Sequence, residues 1–588
     1  MLPTIRLISP LKQLLFLCGV MALVACSAQE EIAVSTEKSE AGEPVTELFL
    51  FADERDLERL FSRNPRSDAR IEGYVRIGEN GRIRTLRQGF RFRGNTSRYH
   101  PKKSYNIRFE HEQPFLFDSP RMNLNAMYTD PSGMRERLAW DMFAELDRPA
   151  SKPRYFALYI NRGFEGLGIH VQRVDEVLLR QNDLDPNGTL VRDLTRRRAA
   201  QAGLDRRSIF GYDLRQQTNP DAFLSTMFDS RWTPDYGRLT DLINWVHDTP
   251  AGPEFETGFR QRIDAGVFTD WLAIHYLIGD VDAFGDDYWL HIGGSSDSKW
   301  IVIPWDHDLS FGKNERDNLQ ENREMGQFGR GISQLNEFFA YEYPIDDAGW
   351  DNALVSRYLE TEGLYTMLTD RLTELMTERF TYDYFERRIA QHAEVIRPWI
   401  ERNSEDDFRL HQRQHHGESG HFDYHLETLL DFVWLRYAYL ERQINPVSGE
   451  AYQAEITISE PGKYALTDAK GWTIATLEAD YVNGANVTVS IRSEAADIEN
   501  GIRQKWYLNT EGEPGSISGK LTLYYRNDIA PDGKANWYPG PEAIGRQWDL
   551  MMMRDDETLQ SRVNPYSNKV TASMEIHAGQ TRQFQLRW

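Results

Sequence analysis

The stretch Phe268–Gly312, FTDWLAIHYLIGDVDAFGDDYWLHIGGSSDSKWIVIPWDHDLSFG, decides the fold. Its apolar run, with Trp271, Leu272, Ile274, Tyr276, Leu277 and Ile278, reads as a buried helix that leads straight into Asp280, Asp282, Asp286 and Asp287. Two short β-rich runs follow, Tyr288 to Ile292 and Trp300 to Pro304, and then a second acidic pair, Asp306 and Asp308. Antiparallel strands return to where they started, so a hairpin here brings the two carboxylate sets to one end. Clustered carboxylates repel one another and persist where a cation or a proton holds them together.

Around this stretch, the chain of 588 residues exceeds what one hydrophobic core fills, so more than one domain is expected. With 40% hydrophobic and 12% aromatic residues, most of it should pack rather than stay disordered. The net charge of −22 argues against nucleic acid as a partner, because phosphates are bound by Lys and Arg that displace counterions.

Residues 1–25 read as a processing signal. Arg6 and Lys12 precede the apolar run Leu14 to Ala25, which is too short for a mature membrane anchor. Leu23-Val24-Ala25-Cys26 resembles a bacterial lipobox, making Cys26 the lipidated first residue of an exported lipoprotein; an ordinary signal peptide with a stray cysteine is the alternative. Cys18 lies in the segment to be removed, so no disulfide is expected. Ser27 after the cysteine resembles an outer-membrane destination, facing the periplasm or the cell surface. Residues 26–45, rich in Glu, Ser and Ala, read as a disordered tether to the membrane.

Folded structure should begin with a strand at Glu47 to Ala52 and a short amphipathic helix at Asp53 to Phe61, followed by strands at Ala69 to Ile77, Thr85 to Arg93 and Ser104 to Phe109. Alternation in the last of these puts Lys103 on the apolar face with Tyr105, Ile107 and Phe109, and Lys102 on the other. An inward lysine needs an anion; a lysine that snorkels to the strand edge is the competing reading. Ser132 to Leu146 reads as a helix capped by Ser132, with Met134, Leu138, Met142 and Phe143 on one stripe. Strands at Arg154 to Asn161 and Gly166 to Val171 are joined by the turn Asn161-Arg162-Gly163, and Val174 to Arg180 begins a helix. Asp183 to about Pro234 reads as a polar, Arg-rich insertion, and helices at Arg238 to His247 and Phe255 to Ile263 lead into Phe268.

Arg93-Gly94-Asn95-Thr96-Ser97, Lys102-Lys103-Ser104-Tyr105, Asn161 with Gly166-Leu167-Gly168, Val174-Asp175, Asp282 with Asp287-Tyr288-Trp289-Leu290, and Pro304-Trp305-Asp306-His307-Asp308-Leu309 with Phe311-Gly312 resemble the ordered motifs of the CotH kinase family. That resemblance covers roughly Thr46 to Ile444. It implies an α+β, two-lobed, remote protein-kinase-like domain at 46–445, with an N-lobe to about 175 and a C-lobe from about 176. It further implies an atypical kinase that moves the γ-phosphoryl of ATP to Ser or Thr of a cell-envelope protein with Mg²⁺ or Mn²⁺.

By the same resemblance, Arg93, Gly94, Asn95, Ser97 and Lys103 would lie at the nucleotide phosphates, with Glu136 or Glu145 holding Lys103, and the strand pair ending near Val171 would lead to the adenine. Asp282 would be the catalytic aspartate, and Asp287, Asp306 and Asp308 the metal ligands. Asp287 stands where the family usually has asparagine, which adds a negative charge beside a triphosphate. The alternative function is a non-catalytic envelope scaffold or pseudokinase; a metal-dependent hydrolase using the same carboxylates is a third. Taken alone, Asp282 reads equally as a cap or turn residue, and alternation points His307 away from its flanking carboxylates as a packing residue.

Two further features stand outside that resemblance. His411, His415, His416, His421 and His425 offer either a metal site or a polar surface loop before a long helix from Leu426 to Gln443. Beyond Ile444, runs at Tyr452 to Ser459, Trp472 to Leu477, Asn486 to Ile491, Leu521 to Tyr525 and Val570 to Ile576 predict an all-β, sandwich-like domain over 450–588, with aromatics around Trp537 and Tyr538 that would bind glycan or protein or pack in the core.

Overall fold

Strand alternation near the N-terminus closes a sheet on itself. Strands β1 (Thr46–Phe51), β2 (Ile71–Glu79), β3 (Arg82–Phe92), β4 (Tyr105–Gln113), β5 (Ser119–Asn125), β6 (Pro153–Ile160) and β7 (Gly163–Val171) form a closed barrel in the order β1-β2-β3-β4-β5-β7-β6. The closing seam is parallel, β1 against β6, while β1 pairs antiparallel with β2. Tyr105, Ile107 and Phe109 face inward with Leu48, Leu50, Val75, Phe90 and Leu158, so one face of β1 to β6 feeds a single core, while Leu167, Ile169 and Val171 of β7 join the larger core of the helical region. Asn161 turns the β6–β7 connection at φ 54°, and its Oδ1 accepts from the Ala52 N–H at 3.0 Å, tying that turn to the end of β1.

The computed structural model describes residues 44–79, 82–94, 96–100, 102–128, 130–161, 163–205, 207–232, 234–280, 283–312, 351–406, 421–484, 486–512, 514–525, 549–564 and 567–588. Cys26, Asn95, Asp282, His411, His415, His416, Trp537 and Tyr538 lie outside them. So does the tether up to residue 43.

Between β5 and β6 the chain forms the helix Arg135–Glu145, which buries Leu138, Met142 and Phe143. Ser132 does not cap it. Asp130 Oδ2 accepts the Arg135 N–H at 2.9 Å and Oδ1 takes the Arg135 guanidinium at 2.7 Å, so an aspartate two residues upstream does the work expected of the serine. The other end of this helix is pinned by Asp141, which meets Arg137 at 2.9 Å and His392 at 2.7 Å. Those hydrogen bonds and charges overcome the effect of burial and hold Asp141 at about 2.

The helix Ala265–Ile278 is the centre of the second core, with every residue from Val267 to Ile278 buried. A helix apolar all round must be enclosed on all sides. Asp264 caps its start through the Val267 N–H at 3.0 Å, and Gly279, at φ 60°, ends it in the left-handed conformation that glycine adopts without strain. Packed on it is a four-stranded sheet in the order β11 (Ile301–Pro304), β10 (Tyr288–Ile292), β8 (Thr189–Asp193), β9 (Phe228–Ser230). This corrects the reading of 183–234 as an insertion. The arginines there hide the run Thr189-Leu190-Val191-Arg192-Asp193, which pairs antiparallel with β10, Leu290 opposite Val191.

After the long helix His421–Ile444 the chain is all β. Strands Gln453–Ile458, Val487–Ala495, Gly501–Gly512, Thr581–Arg587, Met551–Arg554 and Glu557–Thr558 form one sheet, and Gly462–Thr467, Thr473–Asn483, Ser516–Tyr524, Lys569–His577 and Ser561–Asn564 a second. Their inner faces share one core that includes Ile474, Val489, Trp506, Leu521 and Phe584. Gly462–Thr467, Gly501–Gly512 and Thr581–Arg587 were not legible as strands. Lys569, buried, anchors this region to the long helix through Asp431 at 2.7 Å and Glu427 at 3.0 Å. Among the described residues no helix is long and apolar enough to cross a membrane.

Candidate active site

The hairpin does what its sequence demands. Tyr288 pairs with Pro304, and the Trp305 N–H donates to the Asp287 carbonyl at 3.1 Å, so Asp287 and Asp306 leave the same end of the sheet. Asp306 sits at φ 62° and Phe311 at φ 54°, two left-handed residues that bend the turn back until the Phe311 N–H reaches the Ile278 carbonyl at 2.7 Å. The end of the central helix and both acidic segments are thereby bonded into one unit. Asp287 is buried and receives Arg192 Nη2 at 2.9 Å, while Arg192 Nε reaches the Asp286 carbonyl at 3.3 Å and its guanidinium lies over Trp305.

Beneath the turn, His307 points away from Asp306 and Asp308 and packs, but it also meets a third carboxylate. Its Nδ1 lies 2.9 Å from Asp280 Oδ2, and His275 Nδ1 lies 3.2 Å from the same oxygen. Alternation holds through the left-handed Asp306: His307 is buried, while Asp306 is half-buried and Asp308 exposed. All three residues are buried among Trp140, Phe143 and Phe284. Burial would raise Asp280, but the two imidazoles more than reverse this and hold it at about 2; burial lowers His275.

Above the turn, the two candidate glutamates lie in different surroundings, and Lys103 meets neither. Glu145 is exposed near Arg388, whereas Glu136 is buried and accepts from Asn125 Nδ2 through Oε1 at 3.1 Å and Oε2 at 3.0 Å. Burial, and then the charge of Asp306, push Glu136 up to about 7 against the opposing pull of Asn125 and Arg93. Arg93 is the cation that faces this group. Burial lowers its guanidinium, while Asp306, Glu136 and Asp308 raise it. Asp306 is half-buried and Asp308 exposed.

Arg93, Glu136, Asp306 and Asp308 are thus brought together, with Asp287 adjoining through the hairpin. Lys103 is not among them. Its Nζ donates to the Arg98 carbonyl at 2.8 Å and lies over the Phe92 ring, half-exposed, and burial alone lowers its pKa. Lys102 is the buried lysine, donating to the Leu167 carbonyl at 2.5 Å. The expected faces are exchanged because ladder pairing begins only at Phe92 with Tyr105, so the two-residue period does not extend back to 102 and 103. Gly94, at φ 95°, packs directly over Ser97: a Cβ there would lie 1.8 Å from Ser97 Oγ.

A family model of CotH kinase proteins matches residues 90–440, and the chain belongs to that family. Among curated proteins it is similar to the inner spore coat protein H of Bacillus subtilis (strain 168), 25% identical over 375 residues that cover 62% of this chain and 89% of that protein.

Sequence reasoning missed Arg192 and the pairing of His275 with His307 on Asp280. The signal for Arg192 was an apolar run, Leu190-Val191, following the turn residues Asn187-Gly188, in a segment whose arginines drew the eye instead. His275 carried no signal, since one polar residue in an apolar helix does not declare its partner.

Proposed function

We propose that the chain is an atypical protein kinase that moves the γ-phosphoryl group of ATP to a Ser or Thr hydroxyl of a cell-envelope protein. In this reading the barrel and the helical region act as the two lobes of a remote kinase-like fold, and Cys26 anchors the exported protein in a membrane. The observation that carries it is the convergence of Asp306, Asp308, Glu136 and Arg93 where the hairpin delivers Asp287.

The donor set suits a divalent cation: the groups are oxygens, and burial, then the neighbouring charge of Asp306, push Glu136 up to about 7 even with Arg93 nearby. Asp306, Asp308 and Asp287 would hold Mg²⁺ or Mn²⁺. Bound there, the metal supplies charge neutralisation across the phosphates. Arg93 would bind phosphate oxygens. Arg192, fixed on Asp287, keeps that carboxylate oriented. Asp282 would orient the substrate hydroxyl and accept its proton. His275 and His307 hold Asp280, and with it the backbone entering that loop.

Transfer of label from γ-labelled ATP in the presence of Mg²⁺ or Mn²⁺ tests this; equal labelling by wild type and Asp282→Ala refutes it. The second reading, a pseudokinase or scaffold that binds surface proteins or polymers, is favoured by Lys103, whose amine rests on the Arg98 carbonyl instead of a carboxylate. Calorimetry separates the two, since a scaffold shows no metal-dependent nucleotide binding.

A further inference from the structure

The outer face of the barrel carries a concentration of guanidinium groups that phosphoryl transfer leaves unused. Because Tyr105, Ile107 and Phe109 point inward, Asn106 and Arg108 point out. Register then sets Arg91 opposite Asn106 and Asn106 opposite Asn123, with Gly89 opposite Arg108 and Arg108 opposite Arg121. Arg108 and Arg121 are therefore direct cross-strand neighbours, a like-charge pairing that works against the sheet. Neither has an ion-pair partner among the described residues.

Arg70 joins them, its Nη1 fixed by the Gly89 and Asn106 carbonyls at 3.0 and 2.9 Å. Burial and repulsion from Arg91, Arg108 and Arg121 pull Arg70 down to about 10. The carboxylates facing this group are few: Asp68 is shared between Arg91 at 2.9 Å and Arg98 at 3.0 Å, while Glu72 and Glu110 are engaged by Arg87. Beyond Arg121, Arg173, which meets Asp175 at 3.6 Å, and Arg231 continue the positive field, offset in part by Asp229, to Arg192. In a chain of net charge −22 this is a local inversion.

We propose that the face formed by Arg70, Arg91, Arg108 and Arg121 docks an extended, Asp/Glu-rich segment of a partner protein. Arg91, Arg108 and Arg121 stand one on each of three neighbouring strands, β3, β4 and β5, so an extended segment lying across the strands presents its carboxylates to arginines on one face of the sheet. Planar guanidinium forks take carboxylates in paired hydrogen bonds. A nucleic acid, charged along its whole length, meets the repulsive field of the remaining surface. Docking here is independent of whether the chain transfers phosphoryl groups.

The test is fluorescence anisotropy of a labelled oligoglutamate peptide with the full chain, alongside oligolysine and oligothymidylate probes. Oligoglutamate should bind, weaken steeply with salt, and weaken at least about tenfold in Arg108→Glu/Arg121→Glu, while Arg492→Glu, in the C-terminal β region, keeps wild-type affinity. The neutral pair Arg108→Gln/Arg121→Gln, checked for an unchanged melting temperature, guards against misfolding. Equal affinity of wild type and both double variants, salt-independent binding, or tighter binding of oligothymidylate than of oligoglutamate overturns the proposal.

Discussion

Replacing Glu136 with glutamine isolates the strain of one carboxylate placed beside another. Folding raises this group from its ordinary 4.5 to about 7. The folded chain therefore binds a proton that the unfolded chain releases, so stability is fully present below about pH 4.5 and is lost as pH rises through 7. At about 1.4 kcal/mol per unit, the shift amounts to about 3 kcal/mol above neutrality. Glutamine still accepts from Asn125 and carries no charge. Glu136→Gln should thus match wild type in urea denaturation near pH 4.5 and exceed it by about 2 to 3 kcal/mol near pH 8 in a chelating buffer. Added Mg²⁺ should narrow that gap, because a cation at Asp306 removes part of the repulsion. A stability difference that is the same at both pH values refutes the reasoning, since it means that burial beside Asp306 does not raise Glu136 on folding.

Asp306→Asn should lower label transfer by about 10² to 10³-fold while leaving the fold intact, measured as initial rates beside a melting curve. Arg93→Ala should reduce metal-dependent nucleotide affinity in calorimetry more than Lys103→Ala does, because Arg93 faces the acids and Lys103 does not. Lys569→Met removes the cation buried between Glu427 and Asp431 and should cost about 3 to 5 kcal/mol in denaturant unfolding. Asp280 and Asp141 are both held at about 2, so the stability they contribute is present above about pH 4 and lost as pH falls toward 2. His307→Phe should shift the Asp280 part of that acid transition upward, read as the midpoint of acid unfolding by circular dichroism.

The sequence was most legible where one local rule sufficed. Twelve successive buried positions from Val267 to Ile278, two short β runs and acids at both ends left one arrangement, a helix feeding a hairpin with its carboxylates at one end. It was least legible where two rules competed. At 102 and 103 the period of two was extended past the last paired residue, and the wrong lysine was turned inward. At His307 alternation gave the buried side but not the partner, Asp280, which lies on another segment. The 183–234 region misled by composition: its arginines suggested a solvated surface, yet Arg192 is neutralised by Asp287 and Arg231 lies over Trp289 at 4.1 Å, so charge there supports a sheet. The choice between Glu136 and Glu145 required the tertiary fold, because both lie on one helix and only packing shows which end is enclosed.

The seam that closes the barrel has a mechanical consequence. β1 is hydrogen-bonded along both edges, to β2 on one side and to β6 on the other. A pull on the chain just before Thr46 therefore cannot unzip an outer edge one bond at a time. It must slide the whole strand past two neighbours at once, a geometry that resists tension.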